Sequence, residues 1–97
     1  MEGPDEIIHQ SMRLRMTAAL NAQRKGDALE FSELKKLLGA TDGNLATHLN
    51  ALESAGYVEV AKDFVGRKPR TRITLSAAGR KAFARHVAYL RNLLDGE

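Results

Sequence analysis

Residues 32–56 read Ser32-Glu33-Leu34-Lys35-Lys36-Leu37-Leu38-Gly39-Ala40-Thr41-Asp42-Gly43-Asn44-Leu45-Ala46-Thr47-His48-Leu49-Asn50-Ala51-Leu52-Glu53-Ser54-Ala55-Gly56. Leu34, Leu37 and Leu38 form one stripe of a helix capped by Ser32 and stopped by Gly39. Two residues later Thr41 starts a second helix. Asp42 stands in its first turn, where a negative charge suits the helix dipole. Leu45, Leu49 and Leu52 make a narrow apolar stripe, and Gly56 closes the helix after Ala55. Two helices joined by a glycine-containing turn of about 3–4 residues are a helix-turn-helix.

The flanks extend this unit. Tyr57–Ala61 and Arg72–Leu75 read as strands, the second with period-2 alternation. Between them Lys62-Asp63-Phe64-Val65-Gly66-Arg67-Lys68-Pro69-Arg70-Thr71 carries two turn residues, Gly66 and Pro69, in basic surroundings. The pair reads as a β-hairpin with a long basic tip. Ser76 caps a last helix that runs to about Leu94, with Phe83, Val87, Leu90 and Leu94 along one face. On the other side, Met12–Ala22 reads as a helix with Ser11 as N-cap and Gly26 as its end. Pro4–Gln10 is either a short helix of its own or the first turns of that one. Leu29-Glu30-Phe31 alternates as a very short strand would. The predicted fold is therefore mainly α with a small β-hairpin: a winged helix-turn-helix with a three-helix core, a two-stranded wing and an extra C-terminal helix, in one domain over residues 1–97.

Composition bounds the function. A chain of 97 residues holds one modest core. The absence of cysteine removes disulfides, thiolate nucleophiles, thiol redox sensing and Cys-ligated zinc together. No apolar run approaches the roughly 18 residues of a membrane span, and the acidic N-terminus has none of the regions of a signal peptide, so a cytoplasmic location is expected. The net charge of +3 is mild, but its distribution is uneven. Acidic residues crowd the start (Glu2, Asp5, Glu6) and the middle (Asp27, Glu30, Glu33), whereas basic ones crowd Lys62–Arg72 and return at Arg80, Lys81 and Arg85. Such clustering is the footprint of a nucleic-acid partner.

The second helix of the motif and the wing carry the candidate chemistry. With Leu45, Leu49 and Leu52 buried, a rotation of about 100° per residue points Gly43, Thr47, Asn50 and Ser54 outward, with Asn44, Ala46 and Ala51 beside them and His48 near the buried edge. An ordinary solvated helix carries Glu and Lys there. Small, neutral, hydrogen-bonding residues instead suit close approach in a major groove about 12 Å wide, where Asn bridges adenine N6 and N7 and Thr serves either as a donor or as a methyl surface. The wing adds Arg67, Lys68, Arg70 and Arg72 around a tight turn. Cations placed on phosphates give affinity without sequence information, and an arginine in a narrow A·T minor groove adds shape readout. The competing interpretations are a charge-poor surface helix and a merely solubilising loop.

Other chemistries find no support in the sequence. His9, His48 and His86 are far apart with no partner at ligand spacing, so no metal site is expected. Ser11, Ser32 and Ser76 sit at helix starts, where capping explains them, and no base accompanies any of them. Gly39 and Gly43 do not belong to a phosphate loop. No enzyme and no cofactor are expected.

Residues Ser11–Leu94 resemble the compact winged helix proteins related to the MarR and ArsR regulators, and most closely the stand-alone winged helix DNA-binding domain group. The resemblance rests chiefly on Thr41-Asp42-Gly43-Asn44-Leu45-Ala46-Thr47-His48-Leu49 and Leu52-Glu53-Ser54-Ala55-Gly56-Tyr57-Val58. Met12-Arg13-Leu14-Arg15, Phe31-Ser32-Glu33-Leu34, the Gly66-Arg67-Lys68-Pro69-Arg70-Thr71 wing and Leu75-Ser76-Ala77-Ala78-Gly79-Arg80 extend it. It implies a dimeric transcriptional regulator whose helix over residues 41–55 enters the major groove while the wing over residues 62–72 meets backbone or minor groove. Carried over by position, Thr41, Asn44, Thr47 and His48 face the groove. Larger relatives bind phenolic ligands beside their dimerisation helices. This chain is shorter and lacks their extra C-terminal helix, so no effector follows from the resemblance. ArsR-like relatives sense metal through Cys, which this chain lacks.

The expected partners are double-stranded DNA and a second copy, paired through the N-terminal segment 1–11 and the C-terminal helix 76–94. Ile7 and Ile8 at one end, and Phe83, Val87, Leu90 and Leu94 at the other, are the expected dimer residues, since together they would form an exposed apolar patch. In the rival arrangement the last helix covers the N-terminal segment within one chain. The rival function is a winged helix that binds protein rather than an operator, for which the wing and helix would be less basic and more apolar.

Overall fold

The structure is a computed structural model and describes residues 3–96. Its elements are α1 (Ser11–Asn21), β1 (Leu29–Glu30), α2 (Phe31–Leu38), α3 (Asp42–Ser54), β2 (Val58–Val65), β3 (Lys68–Leu75) and α4 (Ala77–Leu94). The strands form one antiparallel sheet in the order β1-β3-β2. This is the expected winged helix arrangement, with β1 added as a third, two-residue strand.

The core is built from leucines that the helical periodicity singles out. Leu45, Leu49 and Leu52 of α3 are buried with Met16 and Leu20 of α1, Leu34 of α2, and Leu29, Val58, Ile73 and Leu75 of the sheet. Leu37 departs from expectation and is exposed. It lies on the far flank of the narrow stripe defined by Leu34 and Leu38, which the core does not reach.

Two helix starts lie one residue or more before the predicted caps. Gln10, not Ser11, is the N-cap of α1, because its Oε1 accepts from the Arg13 amide at 2.9 Å while its carbonyl already accepts from Leu14. Glu30, not Ser32, opens α2. Here strand β1 feeds straight into the helix, and the Glu33 carboxylate accepts from the Glu30 amide at 3.0 Å in a capping box. Gly39 (φ 61°) ends α2 in the left-handed conformation as expected. Thr41 caps α3 and Ser76 caps α4.

Arginines tie helix ends to neighbouring helices. Arg15 of α1 donates to the carbonyl of Leu38 at the end of α2 (3.1 Å), and Arg80 of α4 donates to carbonyls of Asn21 and Gln23 at the end of α1. Cations at these positions satisfy the orphan carbonyls of a helix terminus and complement its dipole, and they fix the angles at which the helices meet.

The wing is longer and tighter than the sequence suggested. Its strands pair from Val58↔Leu75 out to Val65↔Lys68, leaving only Gly66 and Arg67 in the turn. Gly66 has φ 63°, and no non-glycine residue among those described has positive φ, which is the φ signature of a type II′ hairpin turn. Pro69 is therefore a strand residue opposite Phe64. Next to the closing pair of a two-residue hairpin this is a non-hydrogen-bonded position, so the missing N–H costs no ladder bond.

Residues Asp5–His9 form a single turn rather than a helix. The His9 amide donates to the Asp5 carbonyl, and Asp5 Oδ1 accepts from the amides of Ile7 and Ile8, both at 2.9 Å. Among the described residues, no helix is long and apolar enough to cross a membrane.

Candidate nucleic-acid interface

Burial of the α3 leucines turns Thr41, Asp42, Gly43, Asn44, Thr47 and Asn50 to the exposed side, with His48 half-buried. The Thr41 hydroxyl is engaged, since it accepts from the Asn44 amide at 3.2 Å. Thr47 donates its hydroxyl proton to the Gly43 carbonyl at 2.9 Å, which leaves its methyl group and oxygen lone pairs to a partner. Among the described residues the Asn44 side-chain amide has no hydrogen bond within the chain and keeps both donor and acceptor. Asn50 stands on the wing side and lines a cleft of about 500 Å³ with Ala46, Glu53, Lys62 and Thr71.

Two neighbours condition this face. The acid at its start is neutralised, because Lys35 of α2 meets Asp42 at 2.8 Å across the turn. Arg13 lies 3.3 Å from His48 Nδ1. A guanidinium only donates, so Nδ1 is the acceptor side of this contact. His48 is thus a tethered residue at the edge of the face, as its place on the helical wheel suggested.

The four predicted wing cations fall into two pairs. Arg67 in the turn and Lys68 beside it are exposed, and among the described residues neither has an ion-pair partner. Arg70 and Arg72 instead converge on Asp63. Arg70 grips both carboxylate oxygens (2.9 and 2.8 Å) and Arg72 donates to Oδ2 at 2.9 Å. The Arg70 hydrogen bond, helped by the charges of both guanidinium groups, holds the Asp63 carboxyl below the usual carboxylate range, while Asp63 raises the pKa of Arg70. Asp63 faces Arg70 directly across the ladder. No local pattern reveals this pairing, which becomes visible only once the hairpin register is known.

The expected dimer residues also divide. Ile8 is a correction: it is fully buried within one chain and cannot line an open seam. The N-terminal turn folds onto α4, where the Asp5 amide donates to His86 Nδ1 (3.1 Å) and Tyr57 Oη donates to Asp5 Oδ2 (2.7 Å). Ile7 is partly buried against the core. Phe83, Val87 and Leu90 are half-buried, while Leu94 is 85% and Leu93 53% exposed. A shallow cleft between Pro4, His9, Leu14, Tyr89 and Leu93 adjoins them. Two further apolar residues, Phe64 and Val65 of the wing, are exposed where the sequence suggests only a basic tip.

A helix with a short, neutral, hydrogen-bonding face, set beside a cationic two-stranded wing, is the architecture of a winged helix-turn-helix DNA-binding domain. Residues 12–94 match the sequence profile described as winged helix DNA-binding domain, and the chain belongs to that family. It is 34% identical over 82 residues to an uncharacterized protein of Methanocaldococcus jannaschii, covering 84% of this chain and 86% of that one. Its structure is similar to that of a transcriptional regulator homologue from Pyrococcus horikoshii (TM-score 0.86, 30% identity, 95% of this chain and 88% of that one). It also resembles a MarR-family transcriptional regulator from Silicibacter pomeroyi (TM-score 0.70, 26% identity), covering 89% of this chain and 55% of that protein.

Proposed function

We propose that this chain is a transcriptional regulator that binds double-stranded DNA sequence-specifically as a homodimer. In this reading α3 enters the major groove, with Asn44 and Thr47 as principal base readers, Asn50 behind them and Thr41 and His48 at the edges. Arg67 and Lys68 take phosphates at the wing tip, while Arg70 and Arg72, held by Asp63, add a weaker field. Residues 1–97 act as one domain that pairs through α4, with Phe83, Val87, Leu90, Leu93 and Leu94 at the seam and Ile7 at its margin.

The observation that carries the reading is the side-by-side presentation of two unlike surfaces. One is an α3 face whose acid, Asp42, is paired with Lys35 and whose Asn44 amide is unspent, and the other is a wing tip whose Arg67 and Lys68 are unpaired among the described residues. Bases are read by the first kind of surface and phosphates are neutralised by the second. The similarity to transcriptional regulators supports the same assignment.

A salt titration of duplex binding tests it. The expected result is a linear fall of log K with log salt, with a slope of about −0.9 for each phosphate contact. Failure to retard any duplex at low salt, or retardation indifferent to salt, would contradict it and favour a module that binds protein.

A further inference from the structure

We infer that Phe64 and Pro69 form an apolar wedge at the wing tip that enters the DNA minor groove, stacks on a base step and bends the duplex. The inference rests on the DNA-binding function proposed above.

The register fixes the geometry. Val58, Val60, Lys62 and Phe64 share one face of the ribbon with Leu75, Ile73, Thr71 and Pro69. At the base this face is buried core, through Val58, Ile73 and Leu75. Further out, Val60, Lys62 and Thr71 line the cleft against Asn50 and Glu53 of α3. The same face at the tip is Phe64 opposite Pro69, so the apolar pair looks to the side from which α3 presents its exposed residues.

Pro69 lines a cleft with Phe31 and Ser32 at the start of α2, whereas Phe64 belongs to no core cluster among the described residues. Phe64 is 70% exposed and lies about 13 Å further along the strand than Val60, at ~3.3 Å per residue, beyond the reach of the core. A solubilising loop would carry polar residues there. Pro69 opposite it is rigid, and the two stand at a non-hydrogen-bonded position, where facing side chains are closest. On the other face the Asp63–Arg70–Arg72 cluster braces the strands, which stiffens the ribbon behind the pair.

Charge selects the occupant. Lys62 on the same face and Arg67 and Lys68 in and beside the turn surround the pair with cations. Two copies docked through this face would bring those cations together, whereas a polyanion is attracted by them. A minor groove about 6 Å wide admits side chains at the tip and not the ribbon itself, so Phe64 and Pro69 are the parts that would enter it. Apolar side chains such as Phe and Pro that enter the minor groove unstack a base step and kink the duplex toward the major groove.

The chain contains no tryptophan, so Phe64→Trp introduces a single fluorescent reporter at the tip. The probe is the tightest-bound 30-base-pair duplex recovered from a randomised pool, carrying a fluorophore at each end. The expected results are indole quenching that appears only with the duplex, and a shortened end-to-end distance in the wild-type complex. Phe64→Ala should abolish that shortening and weaken binding roughly 10-fold, the scale of one lost aromatic–base stack, with the salt slope unchanged. A bound duplex that stays straight, with the indole unquenched, would overturn the wedge and leave the DNA-binding function intact. An emission change that follows protein concentration without DNA would also overturn it, by showing that a second copy covers the face. Failure to bind any duplex would overturn the wedge and the proposed function together.

Discussion

A Cβ built on Gly79 would stand 2.1 Å from the carbonyl oxygen of Tyr57. The first turn of α4 therefore packs directly on the backbone where α3 gives way to β2. The contact is fixed from both sides, because the Ser76 amide donates to that same carbonyl (3.0 Å) and the Gly79 amide donates to Ser76 Oγ (2.9 Å).

Gly79→Ala should accordingly destabilise the protein. In an exposed helix interior the same change stabilises by up to about 1 kcal/mol through propensity. Here overpacking against a backbone atom that cannot turn away costs about 1–3 kcal/mol or more, which should outweigh this gain and leave a net loss. Urea denaturation measures it, and a raised midpoint would mean that α4 does not sit this close to Tyr57.

Asp63→Asn should increase non-specific DNA affinity. The aspartate occupies Arg70 and Arg72, so its neutralisation frees guanidinium groups for phosphate. The log K against log salt plot should steepen by about 0.9 for each additional phosphate neutralised, whereas Arg67→Ala should flatten it by a similar amount. An unchanged slope in both variants would remove the wing from the interface.

His86 should make stability fall on mild acidification. Burial holds its pKa below the ordinary value of 6.5, against the opposing pull of the Asp5 carboxylate. The unfolded chain thus takes up a proton at His86 before the folded chain does. The stability carried by neutral His86 is complete above about pH 6.5 and is lost as pH falls through the depressed folded value. Asp5 is held low by the amides of Ile8 and Ile7 and by Tyr57, which outweigh the cost of its burial, so its own contribution fades only in more acidic solution. Urea midpoints at pH 7.5 and 5.5 should differ in the wild type and converge in His86→Asn, which keeps an acceptor near Nδ1 but does not titrate. Equal wild-type midpoints would contradict this role.

The end of α4 should hold the dimer. Leu94→Asp alters a side chain that is 85% exposed in one chain, so the fold should survive while the dimer dissociates. Light scattering at micromolar concentration should give a dimer mass for the wild type and a monomer mass for the variant. A monomeric wild type would remove the dimer from the account.

Much of this architecture is legible in the sequence, and the remainder is hidden for identifiable reasons. Leu45, Leu49 and Leu52, with Gly39 and Thr41 as boundaries, announce the two motif helices through local periodicity and capping chemistry. The outer half of the wing is obscured because its strands are held by a cross-strand ion-pair cluster, Asp63 with Arg70 and Arg72, and not by apolar alternation. Pro69 reads as a turn residue yet lies in a strand, since its missing N–H falls where no ladder bond is needed. The burial of Ile8 depends on Asp5 meeting His86, 81 residues away, which no local pattern encodes. On α3, periodicity gives the outward direction of Asn44 and Thr47, while the engagement of the Thr47 hydroxyl by Gly43 appears only in three dimensions.

The central claim is that the exposed face of α3 reads bases in a two-fold arrangement, and selection from a pool of randomised duplexes tests it most directly. The wild-type chain should enrich an inverted repeat whose half-sites lie about 10–10.5 base pairs apart, centre to centre, or a multiple of that spacing. Asn44→Ala should relax preference at one or two positions in each half-site, with a loss of about 1–3 kcal/mol of discrimination, and should leave thermal stability unchanged. A pool that stays random, or a motif identical for the wild type, Asn44→Ala and Thr47→Ala, would contradict the account.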